Sequence, residues 1–340
     1  MNYILRDENA IYYECGYSSD NALYLRLGSE AWLITDSRYT VEAREAVRDA
    51  EVVEAADLFK AARALLRQRG AGRVVFDPKD WSVAGMEALR ARLPHVRFVP
   101  RPDLSHRKRM IKRPEEIALL KEAARLGREG FDTFARYLAT GGLDKREKRL
   151  HFEAKAALSH YGEYELSFDP IVAINANAAK PHALPTETLL KEGDLLLVDA
   201  GLKYRRYCSD RTRTVAVGRH LHFGDDQRFA SQKIQKAYDL VRKAHDVAIE
   251  KARTGMTGAQ IDRLAREVIE KGGMGRAFVH STGHGVGLDI HEMPYISARG
   301  STVVEEGMVF TIEPGVYFPG EFGIRIEDMV VMKDGRAEVL

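Results

Sequence analysis

The chain has 340 residues, 45% apolar and 30% charged, with 52 Lys and Arg against 50 Asp and Glu for a net charge of +2. That balance excludes a disordered or fibrous chain, and near-neutrality removes any bulk electrostatic reason to bind nucleic acid or an anionic membrane. Cys15 and Cys208, the two cysteines, cannot build a disulfide framework or a cysteine-rich zinc site. No apolar run approaches the roughly 20 residues of a membrane span, and Arg6, Asp7 and Glu8 fall where a signal peptide needs an apolar segment. The expected protein is cytoplasmic, with about two domains at roughly 150 residues each.

The N-terminal third alternates strand and helix patterns. ALYLRLG and EAWLITD read as a hairpin joined near Gly28-Ser29-Glu30, followed by a helical SRYTVEAREAV and a strand EVVEA. Residues 57–69 form an amphipathic helix with Leu58, Ala61, Leu65 and Leu66 on one face. GRVVFD, VAGMEALRARL and VRFVP continue as strand, helix and strand, the order of an α/β layer domain. The basic stretch 107–113 reads as a solvated linker, which places the domains at 1–106 and 107–340. Pro114 with Glu115 and Glu116 opens a helix running to Arg136. Helical patterns at 147–160, 227–253 and 257–272 then alternate with strands, so the second domain is α+β.

Chemistry concentrates between residues 168 and 330. In DLLLVDAGLKYRRYCSDRTRTVAV, Gly201-Leu202-Lys203 signals a hairpin. Asp199 ends the apolar run LLLV and Asp210 begins RTRTVAV. Aspartate is depleted from strands, and a buried carboxylate needs a cation or hydrogen-bond donors. Two such aspartates on neighbouring strands repel unless a metal lies between them; a turn cap and a surface ion pair would be the ordinary alternative. In HSTGHGVGLDIHE, glycines 283, 285 and 287 allow close backbone approach around His284, and His280, His284 and His291 are candidate metal ligands or acid/base groups. In MVFTIEPGVYFPGEFGIRIEDMVVM, Glu313 and Glu327 each interrupt an apolar strand, and Arg325 lies two residues from Glu327, on the same strand face. Asp199, Asp210, Glu313 and Glu327 with His284 form an oxygen-rich set suited to Mn²⁺, Co²⁺, Zn²⁺ or Fe²⁺. Four negative charges balance two divalent ions, and two such ions generate a nucleophilic water at neutral pH. The residues thus point to a two-metal hydrolase.

In order along the chain, SFDPIVA with Pro181-His182-Ala183, VDAG, SDRTRT, HSTGHGVGLDIHE, and TIEPG followed by RIED resemble the M24 metallopeptidase family of pita-bread fold, and within it aminopeptidase P and prolidase. The likeness spans the second domain, and ITDSRYTVEA resembles the smaller α/β creatinase-type domain that precedes it in that family. The resemblance implies that Asp199 binds one metal, Asp210 and Glu327 bridge two, and His284 and Glu313 bind the second. It implies that Glu313 moves a proton, that His182 and His291 flank the substrate, that Arg325 orients a bridging carboxylate, and that the protein is a homodimer. Manganese heads the expected metals. Peptides with proline in second position are the implied substrates, since an X-Pro bond has no N–H for other proteases to use. Prolidases often carry an arginine, after HE-x-P, where this chain has Tyr295; its absence favours an aminopeptidase over a dipeptidase. Methionine aminopeptidase lacks such an N-terminal domain, creatinase lacks the ligand set, and a non-catalytic binding module of the same fold would have lost ligands. Cys15 and Cys208 read as packing thiols, and His220 and His222 as surface residues. Tyr161, Tyr164 and Phe168 read as either pocket or core, and His280 as either supporting or substrate-binding.

Overall fold

The computed structural model describes all 340 residues, which fall into two compact units, Met1–Arg109 and Met110–Leu340. In the first, β1 (Tyr3–Leu5), β2 (Ala22–Leu27), β3 (Glu30–Thr35), β4 (Glu51–Glu54), β5 (Arg73–Phe76) and β6 (Arg97–Pro100) form a mixed sheet in the order β4-β3-β2-β1-β5-β6. Alternation along the strands builds two cores. Ile4, Leu23 and Leu25 pack with Leu58, Ala62 and Leu66 of α3 (Leu58–Gln68) and with Met86 and Leu89 of α4 (Val83–Arg90). Tyr3, Leu5 and Tyr24 pack with Ile11 of α1 (Glu8–Cys15) and Ala43 of α2 (Thr40–Ala46). The hairpin falls where Gly28 was expected to turn, at φ +64°. Strand β1 and helix α1 had no reading in the sequence.

The second unit opens with α6 (Pro114–Tyr137) and α7 (Glu147–Leu158). Two antiparallel sheets follow. One is β12-β9-β8, from β8 (Ile171–Ile174), β9 (Leu195–Ala200) and β12 (Arg211–Ala216); a smaller ladder joins β7 (Glu165–Leu166), β10 (Leu202–Tyr204) and β11 (Tyr207–Cys208). Helices α8 (Gln232–Lys251) and α9 (Gly258–Lys271) lead to the larger sheet, β14-β13-β15-β18-β19. Its strands are β13 (Gly283–Gly285), β14 (Glu292–Ile296), β15 (Val309–Ile312), β18 (Asp328–Lys333) and β19 (Arg336–Val339), with the hairpin of β16 (Gly315–Phe318) and β17 (Phe322–Arg325) inserted before β18.

Strand β9 is apolar from Leu195 to Val198 because both its faces are covered. Leu196 and Val198 pack toward Phe131 and Phe134 of α6 and Leu150 of α7, whereas Leu195 and Leu197 join the core formed with α8 and α9. Asp199 continues the second face. The chain does not turn at Gly201-Leu202-Lys203. The turn is made by Arg205 and Arg206, at φ 47° and 73°. Gly201 serves close approach instead: a Cβ there would stand 1.8 Å from the Ser209 carbonyl oxygen.

The solvated linker is also corrected. Leu104–Arg109 is helix α5 with Arg109 buried, and Lys112 is sealed inside the second unit. Lys112 Nζ lies 3.1 Å from Glu292 Oε2, with the two side chains 1% and 0% exposed. Lys112→Met leaves that carboxylate buried without its cation. The expected cost is about 3–5 kcal/mol of unfolding free energy in urea, much of it recovered when Glu292→Gln is added; a loss below about 1 kcal/mol would contradict the pairing.

Candidate metal and peptidase site

One cavity of about 600 Å³ is lined by Asp199, Asp210, His284, Glu313 and Glu327, together with His182, His280, His291 and Arg325. Every candidate ligand sits at or just beyond a strand end: Asp199 within β9, Asp210 before β12, His284 within β13, Glu313 after β15 and Glu327 before β18. Register explains the convergence. Thr212 stands opposite Asp199 across the β9–β12 ladder, and Ile312 stands opposite Asp328 across β15–β18, so the acids that flank those positions meet. One ligand atom each from Asp210, His284 and Glu327 lies within 4.8 Å of the others.

The protonation pattern of His284 defines what this cavity suits. Its Nδ1 is 3.1 Å from the Gly285 carbonyl oxygen, which can only accept, so Nδ1 carries the proton. Nε2 therefore turns a lone pair toward Glu313 Oε1 at 3.4 Å and Asp210 Oδ2 at 3.6 Å. Burial also drives the His284 pKa down, which removes the imidazolium that could answer those oxygens. Burial first, and then the neighbouring acids, push Asp210 and Glu327 well above the usual carboxylate range. Burial lifts Glu313 to about 7. Asp199 Oδ1 is buried with no hydrogen-bond partner. This donor set, hard oxygens with one imidazole lone pair and a surplus of negative charge, fits divalent cations.

Surrounding groups fix the acids. Arg325 Nη2 donates to Asp199 Oδ2 at 2.6 Å, and Nη1 to the Tyr317 hydroxyl at 2.7 Å. Burial opposes the Arg325 charge, but Tyr317, Asp199, Glu313 and Glu327 outweigh it and raise its pKa. Asp199 is its direct hydrogen-bond partner, and the Thr212 hydroxyl links it to Glu327. The Thr212 hydroxyl donates to Glu327 Oε2 at 2.6 Å and accepts from Arg325 Nε at 3.1 Å, while the Glu327 amide donates to the Thr212 carbonyl at 3.0 Å. Arg213 Nη1 donates to the Glu327 carbonyl at 2.6 Å, and Nη2 is bidentate on Asp328. The Thr311 hydroxyl accepts from the His284 amide at 3.1 Å and donates to Glu313 Oε1 at 3.3 Å.

His280 lines the cavity with both ring nitrogens engaged. Nδ1 donates to the Ser281 carbonyl at 2.7 Å, so Nε2 accepts from the Tyr317 hydroxyl at 2.9 Å. Burial and the nearby Arg325 charge lower its pKa to about 3, and it supports its neighbours as a neutral ring. The segment carrying it is clamped by α9. Asp262 accepts from the Thr282 amide and hydroxyl at 3.2 and 2.7 Å, and Arg266, paired with Asp262, donates to the His280 carbonyl at 2.9 Å. The glycines around His284 serve strand packing. A Cβ on Gly283 would lie 1.9 Å from the Thr311 carbonyl oxygen, and one on Gly285 2.2 Å from that of Met293.

Of the aromatic candidates, Phe168 lines the cavity, Tyr161 is exposed, and Tyr164 packs edge-on against Tyr204. Cys208 is buried outside the cavity lining, its thiol pushed up to about 12 by burial. Thr212, Thr311, Tyr317, Asp262 and Arg266 were not anticipated. The two threonines were within reach of a period-two reading, each standing two residues from an acid.

Residues 118–334 match the model of metallopeptidase family M24, and residues 2–111 that of the creatinase/prolidase N-terminal domain. The chain belongs to the M24 metallopeptidases and has their pita-bread α+β fold. The uncharacterized Bacillus subtilis peptidase YqhT is 32% identical over 332 residues, 97% of this chain and 90% of its own. Among solved structures, an Xaa-Pro dipeptidase from Bacillus anthracis superposes with a TM-score of 0.90 at 31% identity, covering 99% of this chain and 92% of that one. An X-Pro aminopeptidase from Thermotoga maritima gives 0.87 at 30%, covering 99% and 95%.

The crowded acids define a stability profile for the metal-free protein. Folded pKa values raised above the ordinary value near 4 mean that the folded state binds more protons than the unfolded state. The acids' contribution to stability therefore falls as pH rises from about 4 toward the Glu313 value of about 7 and beyond, against an opposite slope below about 6.5 from His280 and His284, which are buried neutral. In thermal melts with a chelator, Asp210→Asn should flatten this fall and raise the melting temperature at pH 8 by a few degrees, and Mn²⁺ should stabilise the parent protein more at pH 8 than at pH 5. A metal-free profile whose slope above pH 7 is the same in Asp210→Asn as in the parent would contradict the site.

Proposed function

We propose that this chain is a dinuclear-metal Xaa-Pro aminopeptidase, releasing the residue in front of a proline. The observation that carries the reading is the His284 lone pair facing two carboxylate oxygens in a cavity that holds the buried Asp199, Asp210 and Glu327 and the half-buried Glu313. Asp199, Asp210 and Glu327 would hold one ion, and Asp210, Glu327, His284 and Glu313 the other, with Mn²⁺ the ion best matched to so many carboxylates. Bound there, two divalent ions neutralise the acids and supply a nucleophilic water near pH 7.

The chain's own groups then divide the work. Glu313, beside the ion it would help to hold, is placed to take the proton of the attacking water and return it to the proline nitrogen as the bond breaks. His291, its pKa lowered by desolvation and by the adjacent His284 ring at 4.3 Å, and His182 border the substrate space and can donate N–H to the developing oxyanion. Arg325 and Tyr317 keep Asp199 oriented without entering the reaction.

Tyr295 lines the cavity, whose lining includes no lysine and no arginine except the buried, paired Arg325. With no cation to hold the free carboxylate of a dipeptide, substrates that continue past proline are favoured. A second reading, Xaa-Pro dipeptidase, draws its support from the Bacillus anthracis neighbour and its name. Two buried, unpaired cysteines fit a cytoplasmic location, and no helix is long and apolar enough to cross a membrane. A homodimer accompanies this reading, checked by light scattering.

With Mn²⁺ bound, Ala-Pro-Ala should be cleaved after alanine, its N-acetyl form should not, and Ala-Pro should be the poorer substrate. Cleavage of Ala-Pro alone would transfer the assignment to the dipeptidase. Asp210→Asn should cut kcat/KM by more than about 100-fold, because even groups outside the ligand set cost 10–100-fold. Metal content below one ion per chain after reconstitution would overturn the two-metal site.

A further inference from the structure

We propose that Leu184 is a specificity-determining residue that selects an apolar side chain at the substrate position following proline; the inference rests on the peptidase reading above. Leu184 lies in the cavity lining and is 80% exposed. A lone exposed leucine is unremarkable on a surface, but this one is held there by a pinned segment. Pro181 and Pro185 restrict the backbone on either side. The Pro181 carbonyl accepts from Arg325 Nη1 at 3.4 Å, and the Leu184 carbonyl accepts from Asn177 Nδ2 at 2.9 Å.

Beneath the segment lies Glu147, fully buried at 0% exposure. One of its oxygens accepts from the Thr186 amide and hydroxyl, both at 2.6 Å, and from Asn177 Nδ2 at 2.9 Å; the other accepts from the Ile174 amide at 2.6 Å. The carboxylate thus fastens the segment to the end of β8. A leucine on so fixed a backbone loses little freedom when it is covered, which is what a preorganised contact requires.

The peptide's direction identifies what covers it. An exopeptidase site ends the substrate inside the cavity on its amine side, so the chain leads out on the side beyond proline. Around the exit stand Leu184, Tyr295 at 46% exposure, and the half-buried Phe168 and Ile290. Asp169, the exposed acid of the lining, is already paired with Lys155 and His151. An apolar third residue finds apolar partners there.

The test compares Ala-Pro-Leu with Ala-Pro-Ser on the manganese-loaded enzyme. The parent protein should favour Ala-Pro-Leu in kcat/KM by roughly tenfold, the low end for a hydrophobic subsite, and Leu184→Ser should bring the ratio to within about twofold of one. Titration calorimetry with the products Pro-Leu and Pro-Ser provides a readout independent of turnover: the parent should bind Pro-Leu more tightly, and Leu184→Ser should bind the two alike. Cleavage of both tripeptides at equal kcat/KM, or a ratio that survives Leu184→Ser, would overturn the role of Leu184 and leave the peptidase intact. Failure to cleave either tripeptide, with the Pro-Leu preference present and lost in the variant, would overturn the peptidase and leave the apolar subsite.

Discussion

Four carboxylates, three of them buried, and one imidazole lone pair share a single cavity, and their mutual repulsion is the constraint under which the second unit is built. In the absence of cations the arrangement is costly: desolvation and like charge both act against ionisation of Asp210, Glu313 and Glu327. The fold tolerates it because three of the four acids are anchored by hydrogen-bond donors. Donors from Arg325, Thr212 and Thr311 occupy one oxygen of Asp199, Glu327 and Glu313 respectively, and leave the remaining lone pairs directed inward. Affinity for divalent ions is thus stored in the fold as unsatisfied acceptors.

The supports come from several layers. Arg213 holds the Glu327 backbone from the strand behind it, while Asp262 and Arg266 hold the 278–282 segment from helix α9. The Tyr317 hydroxyl, receiving from Arg325 and donating to His280, ties the hairpin β16–β17 to the segment that leads into β13. These contacts link ligand geometry to helix packing, so changes well outside the cavity will register as changes in metal binding rather than as lost contacts with substrate.

The acids themselves were legible because aspartate and glutamate are out of place at the ends of apolar strands, and the histidine cluster because it is interleaved with glycine. Their supports were not. Threonine is an ordinary strand residue, so Thr212 and Thr311 carry no compositional signal. Asp262 sits on a helix 20 residues before the threonine that it holds. Lys112 looked solvated within a basic run because its partner, Glu292, is 180 residues away. Gly201 resembled a turn glycine, although its missing side chain makes room for the Ser209 carbonyl and the turn falls on two arginines. Local patterns report what a residue does to its own backbone; they are silent about long-range partners.

The order of the ligands along the chain has a consequence for biosynthesis. Asp199 and Asp210 come first, His284 and Glu313 follow, and Glu327 is last, yet Asp210, His284 and Glu327 converge within 4.8 Å. A nascent polypeptide on the ribosome therefore offers no complete cation cradle until Glu327 has been made and β18 has closed against β15. Metalation is consequently a late event of maturation, and the ion acquired is governed by the pool that surrounds the finished fold.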